Sequence, residues 1–262
     1  MTPLKGIDTV TRRTELEGAP TVRTFPNRAE MGTTAANDVA VEMRRRLSRQ
    51  GAVRMVFAAA PSQSDMLAQL ALAEDIDWTR VTAFQMDEYL GLSPDAPQAF
   101  GNWLRQAFFD RLPVEPAVRL IERSGDADSA AAKYAALLAE APLDIVCMGI
   151  GQNGHLAFND PPVADLDDPL DVKIVELAAA SRHQQVDDRL FASVEDVPTR
   201  AITLTLPRIL SADRLFCVVP GSSKRHAVER ALHAPVSSAD PATGLRTHPD
   251  ATLYLDAEST PT

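Results

Sequence analysis

Four short segments place titratable or hydroxyl side chains just after an apolar run. The richest is 144–162, DIVCMGIGQNGHLAFNDPP. Its apolar stretch ends in Gly151-Gln152-Asn153-Gly154, His155 follows at once, and Asp160 comes five residues later. Glycines permit a tight turn, and open α/β sheets bind ligands at the carboxyl ends of their strands. A histidine held there by a third group is the usual arrangement of a general acid or base. In extended backbone Asn153 and His155 would project to one side, with Asp160 returning to orient the imidazole. A histidine that only hydrogen-bonds a turn is the plainer alternative, and the bracketing glycines favour chemistry.

The other three segments have the same form. Ser62-Gln63-Ser64 lies between a strand-like and a helix-like stretch, where hydroxyls and free N–H groups hold a phosphate or merely cap the helix. Asp87-Glu88-Tyr89 ends another apolar run. In extended backbone its adjacent carboxylates face opposite ways, so only one faces a given pocket, as a general base or a solvated acid. Pro220-Gly221-Ser222-Ser223-Lys224 offers N–H groups, two hydroxyls and an ammonium before a helix, which suits an anion but lacks the Walker spacing. Arg182 and Arg189 add positive charge, for a phosphate or for salt bridges with Asp187 and Asp188. No CxxC pair, HExxH or GxSxG motif occurs, so metal and serine-hydrolase chemistry have no support.

The elements that must position these segments follow from periodicity. Helical spacing covers 27–49, with Arg44, Arg45 and Arg46 late in the pattern where they suit the helix dipole. Strand-like runs cover 53–60, 78–84, 143–150, 201–206, 214–219 and 252–255. Helical stretches cover 65–72, 100–112, 127–140 and 225–232. The polar segment 161–171 is too acidic to be a core element. This alternation predicts an α/β fold: one three-layer α/β/α domain over 1–262 with a mostly parallel sheet, its first 25 or so residues peripheral. No boundary marks a second domain.

The chain has 262 residues, enough for a sizeable core, and a formal net charge of −10. That charge opposes a general nucleic-acid surface while leaving room for a small anion beside local cations. No membrane span and no secretory leader are expected, which predicts a cytoplasmic protein. The two cysteines, Cys147 and Cys217, sit in apolar runs and are expected as core residues.

Taken in order, MDEYLGL (86–92), GIGQNGHLAFNDP (149–161), DDRLF (187–191), PGSSK (220–224) and LRTHP (245–249) resemble the glucosamine-6-phosphate deaminase/isomerase family, whose relatives include the 6-phosphogluconolactonases. The resemblance spans about 27–256. It implies a modified Rossmann-type α/β/α fold, no cofactor or metal, a small phosphosugar as partner, no nucleic acid or membrane partner, and leaves a homo-oligomer open. It implies that Asp87 moves a proton between sugar C1 and C2, and that His155, held by Asp160 with Asn153 beside it, helps open the ring. Lys224, Arg189 and the Ser62, Gln63, Ser64 loop would grip the 6-phosphate. Glu88 and Gly154 complete the expected substrate-binding set. The family's deaminases usually carry aspartate at the position of Asn153, glutamate at that of Asp160 and glycines around Ser62. The expected reaction is isomerisation with deamination of an amino-sugar phosphate. The alternatives are lactone hydrolysis and a catalytically silent sugar-phosphate-binding protein.

Overall fold

The computed structural model describes residues 19–262. In chain order its strands are β1 (Thr21–Phe25), β2 (Val53–Phe57), β3 (Val81–Gln85), β4 (Asp87–Tyr89), β5 (Ala117–Arg119), β6 (Ile145–Met148), β7 (Val172–Glu176), β8 (Arg200–Leu204), β9 (Arg214–Val219) and β10 (Ala251–Asp256). The α-helices are α1 (Arg28–Leu47), α2 (Ser64–Leu70), α3 (Phe100–Ala107), α4 (Ala127–Ala139), α5 (Ala179–Asp187), α6 (Leu206–Leu210) and α7 (Arg225–His233).

Seven strands form one parallel sheet in the order β1-β10-β9-β6-β2-β3-β5. Successive side chains in its central strands feed opposite faces, as the pleat requires. Met55, Cys147, Phe216 and Tyr254 enter one buried cluster, while Val56, Val146, Cys217 and Leu253 enter the other. Both faces are therefore apolar, which gives the near-continuous hydrophobic runs of a covered parallel sheet. Cys147 and Cys217 are core residues, as expected, and burial pushes both thiols up.

A second sheet, antiparallel and three-stranded in the order β4-β8-β7, was not anticipated. The 201–206 run belongs there rather than to the main sheet. β4 is three residues long and follows β3 after Met86 alone, so periodicity cannot separate the two. The buried Gln85 manages the crossing: its Nε2 donates to the Asp87 carbonyl at 2.8 Å and its Oε1 accepts from Ile121 N at 3.1 Å. The edge strand β5 is largely exposed and left no apolar signal. Residues 78–80 form a 3₁₀ turn before β3, and the predicted helix 100–112 breaks at Phe108. Of the first 25 residues, 1–18 lie outside the described residues, and Thr21–Phe25 supply edge strand β1 beside β10.

Helix α1 begins at Asn27, whose side chain accepts from Glu30 N, and ends on Arg44, Arg45 and Arg46. Buried Arg46 bonds Glu42, Asp144 and Asp213, tying the helix end to the amino ends of β6 and β9. At its other end α1 presses on α2 through Gly32: a Cβ there would stand 2.6 Å from Asp65 Cβ and 3.1 Å from Met66 N. Arg28 also bonds Asp65 and the Pro61 carbonyl, so α1 fixes the loop that leads into α2. Alanine normally improves a helix by about 1 kcal/mol over glycine. Here Gly32→Ala should instead destabilise, by about 1–3 kcal/mol, because the opposing atoms are backbone and Cβ. Chemical denaturation checks the sign; a more stable variant would contradict the close α1–α2 contact.

Candidate functional site

The main sheet changes direction between β2 and β6. From β2 the chain proceeds outward through β3 and β5; from β6 it proceeds the other way through β9 and β10. Loops leaving these two neighbouring strands therefore diverge, which opens a crevice at their carboxyl ends. The cleft found there is lined by Ser62, Gln63, Asp87, Gly151, His155 and Gln185, among others. Residues from three of the four segments singled out in the sequence meet in it.

Asp87 is the first residue of β4, and its carboxylate makes no hydrogen bond to the described protein. Burial pushes the carboxyl well above the usual carboxylate range, and like charge from Glu88 and Asp160 adds to the rise. Its neighbour Glu88 does face the opposite way. The Glu88 carboxylate accepts from Phe100 N at 3.0 Å and Gly101 N at 2.9 Å, capping α3, and also from Tyr89 N at 2.9 Å. Arg123 stands 3.8 Å away. Burial raises the Glu88 carboxyl against these bonds. Glu88 is thus a structural acid here, not the substrate contact expected from the sequence; its oxygens serve the amino terminus of a helix.

His155, Asn153 and Asp160 come together, although by a turn and not by extended backbone. Gly154 adopts φ +86°, and its N–H donates to the Gly151 carbonyl at 3.0 Å, which folds Asn153 back onto His155. Asn153 Oδ1 lies 2.7 Å from His155 Nδ1 and accepts from His155 N at 3.2 Å, while Asn153 Nδ2 donates to Asp160 Oδ1 at 2.7 Å. The reverse amide orientation would aim N–H at N–H and oxygen at carboxylate. The amide oxygen accepts only, so Nδ1 carries the proton and Nε2 is left with its lone pair on the cleft side. The imidazole lies flat on Gly151, where a Cβ would stand 2.2 Å from the ring. Any other residue at 151 would displace it.

Asp160 is buried and gathers three donors on one oxygen. Besides Asn153, Ser181 Oγ donates at 2.6 Å and His155 Nδ1 lies at 3.1 Å. Burial raises this carboxyl, but the bonds from His155, Ser181 and Asn153 outweigh it and hold Asp160 below its usual range. Ser181 also stands 3.0 Å from His155 Nδ1. Sequence reasoning missed Ser181, which sits in the first turn of α5 with no flanking motif.

Lys224 is buried with no hydrogen-bond partner among the described residues. Burial pulls its ammonium down to about 8, with the Asp188 carboxylate acting the other way. Gln63 ties the loop after β2 to the end of β9: its Nε2 donates to the Val218 carbonyl at 3.1 Å and to Ser62 Oγ at 3.2 Å. Ser62 and Gln63 line the cleft, whereas Ser64 opens α2 and does not. Arg189 is exposed just beyond α5 with φ +61°, an uncommon conformation for a residue other than glycine, and no salt bridge holds it among the described residues. Arg182 does not line the cleft, and its guanidinium donates to the Val197 and Val194 carbonyls. Gly154 shapes the turn and stays outside the cleft, its carbonyl accepting from Ala242 N at 2.9 Å.

Two glutamines of α5 also escaped the sequence reading. Gln184 Oε1 accepts from Gln152 N at 2.8 Å and its Nε2 donates to Asp188 at 3.3 Å, so it braces the glycine turn. Gln185 lines the cleft, and its Oε1 accepts from the buried Tyr89 hydroxyl at 2.6 Å. Among the described residues no group of three or more His, Cys, Asp or Glu is placed to hold a metal ion. No helix there is long and apolar enough to cross a membrane.

Residues 26–254 match the family model described as glucosamine-6-phosphate isomerases/6-phosphogluconolactonase. A glucosamine-6-phosphate deaminase of Streptococcus pneumoniae serotype 4 is 31% identical over 223 residues, covering 84% of this chain and 92% of the relative. One from Lactobacillus delbrueckii subsp. bulgaricus is 30% identical, covering 79% and 86%. Among solved structures, a monomeric glucosamine-6-phosphate deaminase superposes with a TM-score of 0.83 at 27% identity, covering 91% of this chain and 98% of that one. The 6-phosphogluconolactonase of Thermotoga maritima shares the fold, with a TM-score of 0.72 at 16% identity and coverage of 90% and 98%.

The amide at 153 has a local cause that can be tested. Asn153→Asp would set a second carboxylate against Asp160 Oδ1 in place of a donor, 2.7 Å away in the parent. Like charges in contact force one carboxyl to hold a proton, so the variant should lose about 1–3 kcal/mol at neutral pH. The deficit should shrink on acidification, as protonation restores a donor. Unfolding measured across pH 5 to 8, in round values, checks it; a variant as stable as the parent at neutral pH would refute the pairing.

Proposed function

Because the chain belongs to the family of glucosamine-6-phosphate isomerases and 6-phosphogluconolactonases, we propose that it isomerises and deaminates an amino-sugar phosphate, converting glucosamine-6-phosphate or a close analogue to fructose-6-phosphate and ammonia. The chain is an enzyme of the glucosamine-6-phosphate deaminase/isomerase type, as its relatives in sequence and in structure support. The observation that carries the reading is Asp87: a buried, unpartnered carboxyl at a strand end, its proton affinity raised by burial, in the same cleft as His155. A proton shuttle between C1 and C2 needs a base that both takes and returns its proton, and a raised carboxyl suits both directions. Lactone hydrolysis needs no such acid, and this favours the deaminase side of the family.

In this reading His155 Nε2, left as an acceptor by the Asn153 contact, takes the proton whose transfer opens the sugar ring. Asp160 sits 3.1 Å from Nδ1 and stabilises the imidazolium that results, a charge the amide at 153 cannot supply. Asp87 then moves the proton between the carbons. Lys224 and Arg189, with Ser62 and Gln63 on the neighbouring loop, hold the remote phosphate, whose binding energy aligns the reacting carbons with Asp87.

Incubation with glucosamine-6-phosphate, galactosamine-6-phosphate and 6-phosphogluconolactone, with ammonia, ketose phosphate and acid followed separately, tests the reading. Ammonia together with ketose phosphate is expected. Acid from the lactone alone would replace this reading by the hydrolase alternative, and binding without turnover by the silent one. Asp87→Asn should abolish turnover, by more than about 10²-fold, and leave phosphosugar affinity within a few-fold. The acidic limb of the rate profile should lie well above the usual carboxylate range, because only ionised Asp87 accepts a proton and burial raises it.

Lys224 predicts a second pH effect. An anion beside it favours the charged ammonium, so binding near pH 8 draws in a proton and affinity falls as pH rises past about 8. Calorimetric titration of glucosamine-6-phosphate in two buffers reads both the affinity and the proton uptake. Lys224→Met should remove the pH dependence along with most of the affinity; an unchanged profile would take Lys224 out of the phosphate site.

A further inference from the structure

Gln185 is a cleft residue to which no part of the mechanism above assigns a task. It is buried on α5, and its side chain's one hydrogen bond to the described residues is the 2.6 Å contact between its Oε1 and the Tyr89 hydroxyl. Tyr89 is completely buried among Phe100, Phe158 and Phe191, with ring centroids 4.5, 5.5 and 5.4 Å away. Phenylalanine would fill that apolar space equally well, and the hydroxyl has no other partner. A neutral hydrogen bond of this kind adds only about 1 kcal/mol of net stability. Its stronger consequence is orientation.

The amide orientation follows from donor arithmetic. A buried phenol proton requires an acceptor, and only the Gln185 oxygen is in reach. Reversal of the amide would leave that proton unpaired in an apolar cluster. Nε2 therefore points away from Tyr89, and both of its N–H groups are left for the cleft that Gln185 lines. Tyr89 and Asp87 are two apart in β4, so their side chains leave the strand on one side. The pinned amide and the general base thus belong to the same wall.

We propose that Gln185 donates from Nε2 to a substrate oxygen beside the carbons that Asp87 serves, and that Tyr89 is the positioning residue which aims it. An N–H pair attracts a hydroxyl or carbonyl oxygen and repels the ammonium of an amino sugar, so the contact selects which side of the substrate faces α5. It strengthens as proton removal places negative charge on that oxygen, because a fixed donor costs no reorganisation at that moment. Gln184, the next residue, takes no part: about 100° around the helix, it is engaged with Gln152 N and Asp188.

The inference rests on the phosphosugar reading, and the test separates the two. Turnover by the parent on the three-compound panel decides that reading. The inference is then decided by Gln185→Leu, Tyr89→Phe and the double variant on whichever compound is turned over, with affinity for glucosamine-6-phosphate measured in parallel. Gln185→Leu should lower kcat by roughly 10²-fold and weaken binding by up to about tenfold. It strands the Tyr89 proton, so a lower Tm is also expected. The double variant removes both partners and should recover Tm while kcat stays low, which a structural role for Gln185 cannot produce. Tyr89→Phe alone should give an intermediate kcat at near-parental Tm. Recovery of kcat in the double variant, or Gln185→Leu with turnover and affinity both within twofold of the parent, overturns the proposal. Should the parent turn over none of the compounds, an unchanged affinity in Gln185→Leu overturns it alone.

Discussion

A buried carboxylate sets the terms for this cleft. An ionised group inside a protein costs several kcal/mol unless donors replace its water, and Asp160 offsets part of that cost by collecting Asn153, Ser181 and His155 on Oδ1, while its buried Oδ2 has no partner among the described residues. Each donor fixes something else. Asn153 reaches Asp160 only because Gly154 takes a left-handed turn, and the same amide sets the His155 tautomer. Ser181 brings the first turn of α5 against the histidine, which places Gln184 and Gln185 further along the helix and the exposed Arg189 just beyond its end. The amide at 153 donates a hydrogen bond to Asp160, which an ionised carboxylate there could not do.

The site is a meeting of two sheets. The parallel sheet supplies a crevice where strand order reverses between β2 and β6, lined by backbone and small side chains at the end of each. The short antiparallel sheet supplies Asp87 and Tyr89 from a strand that leaves β3 across Gln85. The acids gather with His155, while the buried ammonium of Lys224 lies on the loop after β9. A chain of net charge −10 thus keeps a cation buried in its fold, where burial lowers its proton affinity and Asp188 raises it.

Asn153 and the glycine-poor loop at Ser62 are departures from the family's deaminases, and the structure gives each a physical counterpart. Asp160 approaches Nδ1 directly, which restores a negative charge to the imidazole without a carboxylate at 153. Gln63 and Arg28 brace the loop around Ser62 from both sides, one through the Val218 carbonyl and the other through the Pro61 carbonyl. The pocket is accordingly built from contacts between distant segments.

That division marks what the sequence determined by itself. Period-two and helical patterning, the glycines around His155 and the turn chemistry before Lys224 are local, so β2, β6, β9, α1 and α7 were legible, as was the arrival of Asp87 and His155 at strand ends. Strands of three residues such as β4 and β5 carry too few positions for a period. The direction of each side chain was legible only where adjacent residues had to alternate, as at Asp87 and Glu88. Partners were not, because they come from afar. Ser181 lies 21 residues from Asp160, and Gln185 lies 96 from Tyr89, with nothing in their own neighbourhoods to mark them. Tertiary structure decided that Glu88 caps a helix, that Arg182 serves backbone carbonyls and that an amide holds the histidine, since each outcome depends on which donor the fold brings to an unsatisfied acceptor.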